Sequence, residues 1–257
     1  EFSLWGKIIQ NRDWMWSVTA TGLHSKSTIL NISDALKRKN EENAAVNTET
    51  TPRLQYREGA SPTTIWAVRS AGIDPASGKE IFIKQDGSYT YDYDTADQVA
   101  CGDKNPKLQG TISSMLTYKN LSLNINFSYR FGGNLYNDTR MAKVESIDPQ
   151  KNVDERAFTD RWKQPGDVSP YLAIKYNAES TSQSYFYTDR FVEKDNELLL
   201  SSVTLQYNVP QKVVNNLGLQ RLYVSAGAED LFRLTSAKYE RGTTYPFSRS
   251  VNLSLSL

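Results

Sequence analysis

Residues 121–131 read LSLNINFSYRF, in which Leu121, Leu123, Ile125, Phe127, Tyr129 and Phe131 alternate without a break against Ser122, Asn124, Asn126, Ser128 and Arg130. A period of two belongs to a β-strand, because successive side chains leave an extended backbone on opposite faces. Eleven residues is also about the length that a tilted strand needs to cross a bilayer. The polar half is small and nearly neutral, which suits a strand with lipid on one side and a wet interior on the other. A soluble sheet over an apolar core shows the same alternation, so one strand leaves both readings open.

The last residues, FSRSVNLSLSL, repeat the pattern: Phe247, Val251, Leu253, Leu255 and Leu257 oppose Ser248, Ser250, Asn252, Ser254 and Ser256. In GTISSMLTYKN, Ile112, Leu116 and Tyr118 share a face with Ser114, and only Lys119 and Asn120 separate this run from residue 121, which predicts a tight hairpin. DWMWSVTATG (Trp14, Trp16, Val18, Ala20), LLLSSVTLQYNV (Leu199, Val203, Leu205, Tyr207, Val209) and RLYVSAGAEDLF (Leu222, Val224, Ala226, Ala228) follow the same grammar. The alternations predict Leu121, Leu123, Ile125, Phe127, Val251, Leu253 and Leu255 facing lipid, with Asn124, Asn126, Asn252 and Ser254 facing inward. Trp14, Trp16, Tyr118, Phe131, Tyr207 and Phe247 gather near strand ends, where two membrane interfaces would cut a barrel. A β-sandwich of ordinary aromatic content is the plainer reading of that feature.

Connections alternate in length. They are short at 10–13, 119–120 and 210–220 but long at 24–107, 132–197 and 233–246, the asymmetry of a barrel with turns on one side and loops on the other. Within the first long connection, IFIKQDGSYTYDY reads as a hairpin with Asp86-Gly87 as a two-residue turn, and TTIWAVRSAG as a strand with Trp66 and Val68 on one face. If these strands cross the membrane they do so in even number, giving about nine strands in all, and otherwise about seven.

The 30 basic and 29 acidic residues nearly cancel, so the charge balance implies no nucleic-acid partner. No run of about 18 apolar residues is present to make a spanning helix, a test that a barrel escapes. Cys101 is the single cysteine and His24 the single histidine, which removes an internal disulfide and His/Cys metal clusters. The first residues, EFSLWGKIIQ, lack a basic region followed by an apolar stretch, so the chain is expected to begin as a cytosolic protein or inside a longer one.

Candidate chemistry is sparse. Asp92, Asp94 and Asp97 resemble an oxygen-ligand calcium loop, but the glycine and terminal glutamate of an EF-hand are missing, and solvated loop residues are the better reading. Glu193, Asp195 and Glu197 read as a charged rim before a strand, and His24 and Cys101 as passive loop residues. The stretch RWKQPGDVSPY stands apart. Trp162 and Tyr171 beside rigid Pro165 and Pro170, with Arg161 just before Trp162 and Asp167 between the prolines, suit a stacking surface for a sugar ring or a dock for a partner protein, against the alternative of a loop packed on itself.

Five separated segments carry a resemblance: WAVRSAGIDPASGKEIFIKQDG, NPKLQGTISSMLTYKNLSLNINFSYRFGGNLYN, RWKQPGD, SSVTLQYNVP and RLYVSAGAEDLF. In this order and spacing they resemble the C-terminal part of SusC-type TonB-dependent outer-membrane transporters, over most of the chain. The resemblance implies an all-β fold, the C-terminal segment of a transmembrane antiparallel barrel of about 22 strands with a plugged lumen. It implies import of large nutrients, oligosaccharides or peptides, across the outer membrane of a Gram-negative bacterium, with no catalytic, cofactor or metal residues. The implied partners are a SusD-type surface lipoprotein, TonB, membrane lipid and an N-terminal remainder carrying the plug and first strands. Two positions depart from the family's habit: Leu257 stands where an aromatic residue is usual, and Ala228, Glu229, Asp230 and Leu231 replace a Gly-Gln-Asn-Leu run. The competing reading is an all-β surface domain that binds or hydrolyses glycan.

Overall fold

A computed structural model describes residues 1–44, 51–147, 153–174, 185–237 and 249–256. Its strands are β1 (Phe2–Gln10), β2 (Trp14–Leu23), β3 (Thr64–Ile73), β4 (Glu80–Ile83), β5 (Tyr89–Thr90), β6 (Gln98–Asp103), β7 (Leu108–Tyr118), β8 (Leu121–Tyr136), β9 (Val192–Asn208), β10 (Tyr223–Thr235) and β11 (Ser250–Ser256). They form two antiparallel sheets. Seven strands run in the order β1-β2-β7-β8-β9-β10-β11, and four make a separate sheet in the order β5-β4-β3-β6. The strands inside the first long connection therefore stand apart from the large sheet, which settles the count of the large sheet at seven among the described residues.

The register turns the sequence alternation into two continuous faces. Trp16, Leu116, Leu123, Leu205, Ala226 and Leu253 lie side by side across six strands. The next row, Ser17, Met115, Asn124, Thr204, Gly227 and Asn252, points the other way. Because a slip of one residue would reverse every side chain, alternation this regular fixes the pairing. On the apolar face Trp16 donates its indole N–H to Ser114 Oγ (3.0 Å), which removes the one polar atom that this ring would leave unmet. The ring of Trp14 packs on Tyr118 at 4.3 Å.

Strand β9 departs from the sequence reading. Asn126 pairs with Ser202 but Phe127 with Leu200, so Ser201 is an extra residue in a bulge. Leu198 and Leu200 consequently join the apolar face beside Tyr129 and Phe127, and Leu199 lies opposite Ser128 on the polar face rather than with Val203. Strands β8 and β9 also run beyond the limits drawn from sequence, pairing as far as Tyr136 and Val192. Glu193, Asp195 and Glu197 thus lie within a strand, and Asp195 and Glu197 are buried rather than forming an exposed rim.

The small sheet corrects a turn. Gly87 N–H donates to Lys84 O (3.0 Å) and Lys84 N–H to Ser88 O (2.9 Å), enclosing Gln85, Asp86 and Gly87. This is a three-residue loop with Gly87 at φ +87°, the type I turn plus glycine bulge, not the two-residue turn expected. Asp86 accepts from Ser88 N–H, and Asp97 and Asp94 accept from Gln85 N–H and Ala96 N–H, so these carboxylates fasten turns.

Packing places the core outside the large sheet. Strand β3 buries Ile65, Trp66, Ala67 and Val68 on both faces, and Ala67 joins Tyr136, Met141, Val144, Tyr171, Tyr187 and Phe191 in one cluster. By contrast Val251 and Leu253 are each 79% exposed on the apolar face. The molecule is thus a wall of strands bearing, at the end where the long connections emerge, a packed cap built from the small sheet and the described residues of 136–147, 153–174 and 185–191.

Candidate functional site

Where the wall meets the cap, the polar face carries an ionic lattice. Arg130 of β8 approaches Asp195 of β9 in a forked pair (3.1 and 3.2 Å) and Glu197 at 3.5 Å, and Arg233 of β10 reaches Glu197 at 2.9 Å. A planar guanidinium matches a carboxylate edge to edge, so the lattice staples three neighbouring strands just above their hydroxyl-lined stretch. The hydroxyls pair with one another, Thr21 with Thr111 (2.8 Å) and Ser128 with Ser201 (3.0 Å).

Inside the cap lies a second cluster. Arg190 grips Glu80 with two N–H groups (2.6 and 2.9 Å) and also donates to Glu145 (2.9 Å), while Thr188 Oγ donates to Glu80 (2.8 Å). The side chains of Glu80 and Glu145 are almost fully buried. Burial pushes the Glu145 carboxyl above the usual carboxylate range, and Arg190 pulls it back only in part. For Arg190 burial opposes the charge, but the two carboxylates outweigh it and hold the guanidinium above its ordinary value. Arg161 completes the scaffold, donating to the carbonyls of Ala157 (3.0 Å), Leu172 (3.0 Å) and Glu145 (2.8 Å) and to that of Val144. One guanidinium thus ties three chain segments together.

The residues singled out from sequence divide accordingly. Arg161 and Tyr171 are buried, and Arg161 spends its N–H groups on backbone carbonyls, so both serve the scaffold of the cap. Asp167 accepts from the N–H groups of Lys163 (3.0 Å) and Gln164 (2.9 Å), closing the turn that contains Pro165. Trp162 is half-buried: its indole N–H donates to Pro75 O (2.9 Å), and its ring lies so close over Gly78 that a Cβ there would fall 2.5 Å from it. Beside it opens a cleft of about 280 Å³ lined by Ala157, Phe158, Arg161, Trp162, Lys163, Ala173 and Ile174. A wider hollow of about 680 Å³ lies against Thr159, Asp160, Gln164, Val168 and Pro170. Sequence reasoning missed Phe158 and Lys163, for which only the spacing of four between Phe158 and Trp162 is a signal. It also missed Glu80, Glu145 and Arg190, which lie 45 to 110 residues apart and leave none.

Comparison with known proteins fits this architecture. The chain is 25% identical over 244 residues to TonB-dependent receptor P3 of Formosa agariphila, an alignment covering 88% of this chain and 23% of that receptor. In sequence this chain is similar to a TonB-dependent receptor. It matches structures of the RagAB peptide importer in its open-open and closed-closed states, each with a TM-score of 0.68 and 21% identity, covering 92% of this chain and 25% and 26% of those chains. No family model matches. The chain spans about a quarter of the length of these relatives. Likeness to the importer structures establishes the fold, a wall of antiparallel strands with a cap at one end.

Proposed function

We propose that the chain forms part of the barrel wall and the outer loops of a TonB-dependent importer in the outer membrane of a Gram-negative bacterium. The supporting observation is the apolar face, which runs level across seven paired strands and is covered by nothing among the described residues. In water such a face is an aggregation surface, whereas against lipid it is required. From Leu121 to Phe131 the band extends about 34 Å along the strand, or about 26 Å at a tilt near 40°, close to the apolar height of outer-membrane barrels. Among the described residues β1 and β11 are paired on one side only, so on this reading further strands close a barrel of about 22 strands. On this reading those strands and a plug belong to an N-terminal remainder, TonB acts through the plug, and a SusD-type lipoprotein covers the cap. The cargo is an oligosaccharide or peptide, and the chain transports rather than catalyses. The competing soluble domain would leave Val251, Leu253 and Leu255 in water.

The test is location and closure. The full-length protein is expected in the outer-membrane fraction with heat-modifiable migration, while residues 1–257 alone neither close nor stay soluble without detergent. A monodisperse, folded monomer of these residues in plain buffer would sink the proposal.

Trp162 has a place in the same reading. Its exposed edge is proposed to meet cargo or the lipoprotein, so Trp162→Ala should lower uptake or complex formation severalfold while heat-modifiable folding stays intact. Loss of barrel folding with unchanged uptake per folded molecule would make Trp162 purely structural.

A further inference from the structure

On the side of the short turns the apolar band ends in one row, where Trp14, Tyr118, Leu121, Tyr207, Val224 and Leu255 lie level across six strands. Its aromatics mark the depth of a membrane interface, and the Lys119 ammonium stands 5.2 Å from the centre of the Tyr118 ring. Beyond this row the turns at 11–13 and 119–120 carry only polar residues. The third connection does not. Between β9 and β10 the helix Gln211–Asn216 and the residue that caps it expose Val213 (47%) and Leu217 (59%). At about 100° per residue these two share one side, while Gln211 and Asn215, joined by a 2.8 Å hydrogen bond, share the opposite side and Val214 between them is buried. The helix thus repeats the wall, with one apolar side and one polar side.

Depth and charge point to the same partner. Pro210 follows Tyr207 by three residues, about 10 Å of extended chain or about 8 Å of depth at a tilt near 40°, so the helix begins among lipid headgroups. An apolar helix side at that depth reaches the acyl boundary. The three connections also expose Arg12, Lys119, Lys212 and Arg221 against the carboxylate of Asp13 alone. A layer of anionic phospholipid supplies acyl chain to the apolar pair and phosphate to the cations.

We infer that this rim is a docking surface for anionic phospholipid of the leaflet on the short-turn side, with Val213 and Leu217 in the acyl boundary and Arg12, Lys119, Lys212 and Arg221 on the phosphates. The inference rests on the importer reading and adds to its lipid face an anchor that fixes the depth of the wall.

The test uses the full-length protein, carrying Cys101→Ser and free of other cysteines, in vesicles of phosphatidylethanolamine and phosphatidylglycerol. A nitroxide is attached to Val213→Cys, Leu217→Cys or Asn215→Cys, and its collisions with oxygen, which partitions into lipid, and with a water-soluble nickel chelate are read by power saturation. The labels at 213 and 217 are expected to favour oxygen and the label at 215 to favour nickel. With spin-labelled lipids the unaltered protein should prefer phosphatidylglycerol to phosphatidylcholine about threefold, and the variant R12Q/K119Q/K212Q/R221Q should prefer neither. Heat-modifiable migration reports whether each variant folds, and the two apolar positions serve as independent probes. Equal nickel access at 215 and 217, shielding of 213 and 217 from both reagents as under a packed protein neighbour, or a phosphatidylglycerol preference that is absent from the unaltered protein or survives in the variant overturns the inference. Failure of the importer reading shows separately, as absence of the protein from the outer-membrane fraction.

Discussion

Replacing Ile125 by arginine in the full-length protein should cost about 2 to 4 kcal/mol of folding stability, and the same residue at Asn124 a small fraction of that. The two positions are neighbours in β8 and differ only in face. Ile125 sits between Ser114 and Val203 in the apolar band, whereas Asn124 sits between Met115 and Thr204 on the polar side. An arginine at Ile125 must leave water near the middle of the hydrocarbon, and its reach to either interface is longest there. At Asn124 the same guanidinium stays in the wet interior among hydroxyls. Leu253 and Ser254 of β11 repeat the comparison on a second strand, because Leu253 lies level with Ala226 and Leu205. The measurement is urea-dependent folding into lipid vesicles, read by heat-modifiable migration. Equal costs at Ile125 and Asn124 would mean that the apolar face is not the lipid face.

What the sequence made legible follows from what a period of two encodes. Strands of the wall announce themselves because each residue's face is decided locally by its neighbours at i±2, and the register then follows from matching faces. The Ser201 bulge escaped notice because Ser201 and Ser202 are both polar, so shifting the phase of Leu199 leaves no mark in the pattern. The extension of β8 and β9 to Tyr136 and Val192 was hidden for a related reason. Those stretches carry charge on residues that are buried by pairing, as Asp195 and Glu197 are with Arg130 and Arg233, and a charged stretch reads as solvated unless its partners are known. In sequence Trp162 suits a stacking surface, but its fastening to Pro75 and Gly78 spans about 85 residues of chain, and no local rule supplies such a contact. Arg161 shows the same limit: a loop arginine looks available in sequence, while in the fold its guanidinium is the clamp of the cap.

The cap's buried cluster separates two glutamates that sequence cannot distinguish. Glu80→Gln removes the forked partner of Arg190 and leaves a buried guanidinium with one remaining carboxylate, so it should loosen the cap by about 3 kcal/mol at neutral pH. Glu145→Gln removes the carboxylate that burial disfavours, and Arg190 keeps Glu80, so the cap should be unchanged or firmer by about 1 kcal/mol. The sign of the pH dependence follows from the same asymmetry. A carboxyl whose value is raised in the folded cap binds more protons folded than unfolded, so its presence favours the cap at low pH and disfavours it as pH climbs above the ordinary carboxylate range. Glu145→Gln, fixed neutral, should therefore flatten the fall in cap stability that the unaltered protein shows between mildly acidic and neutral pH. Proteolysis of the outer loops on intact cells, followed across that pH range, measures the opening directly, because cleavage tracks the open population when reclosing is fast. If Glu145→Gln opens the cap as much as Glu80→Gln and leaves the pH slope unchanged, then Arg190 needs both carboxylates charged, and burial does not set Glu145 apart from Glu80.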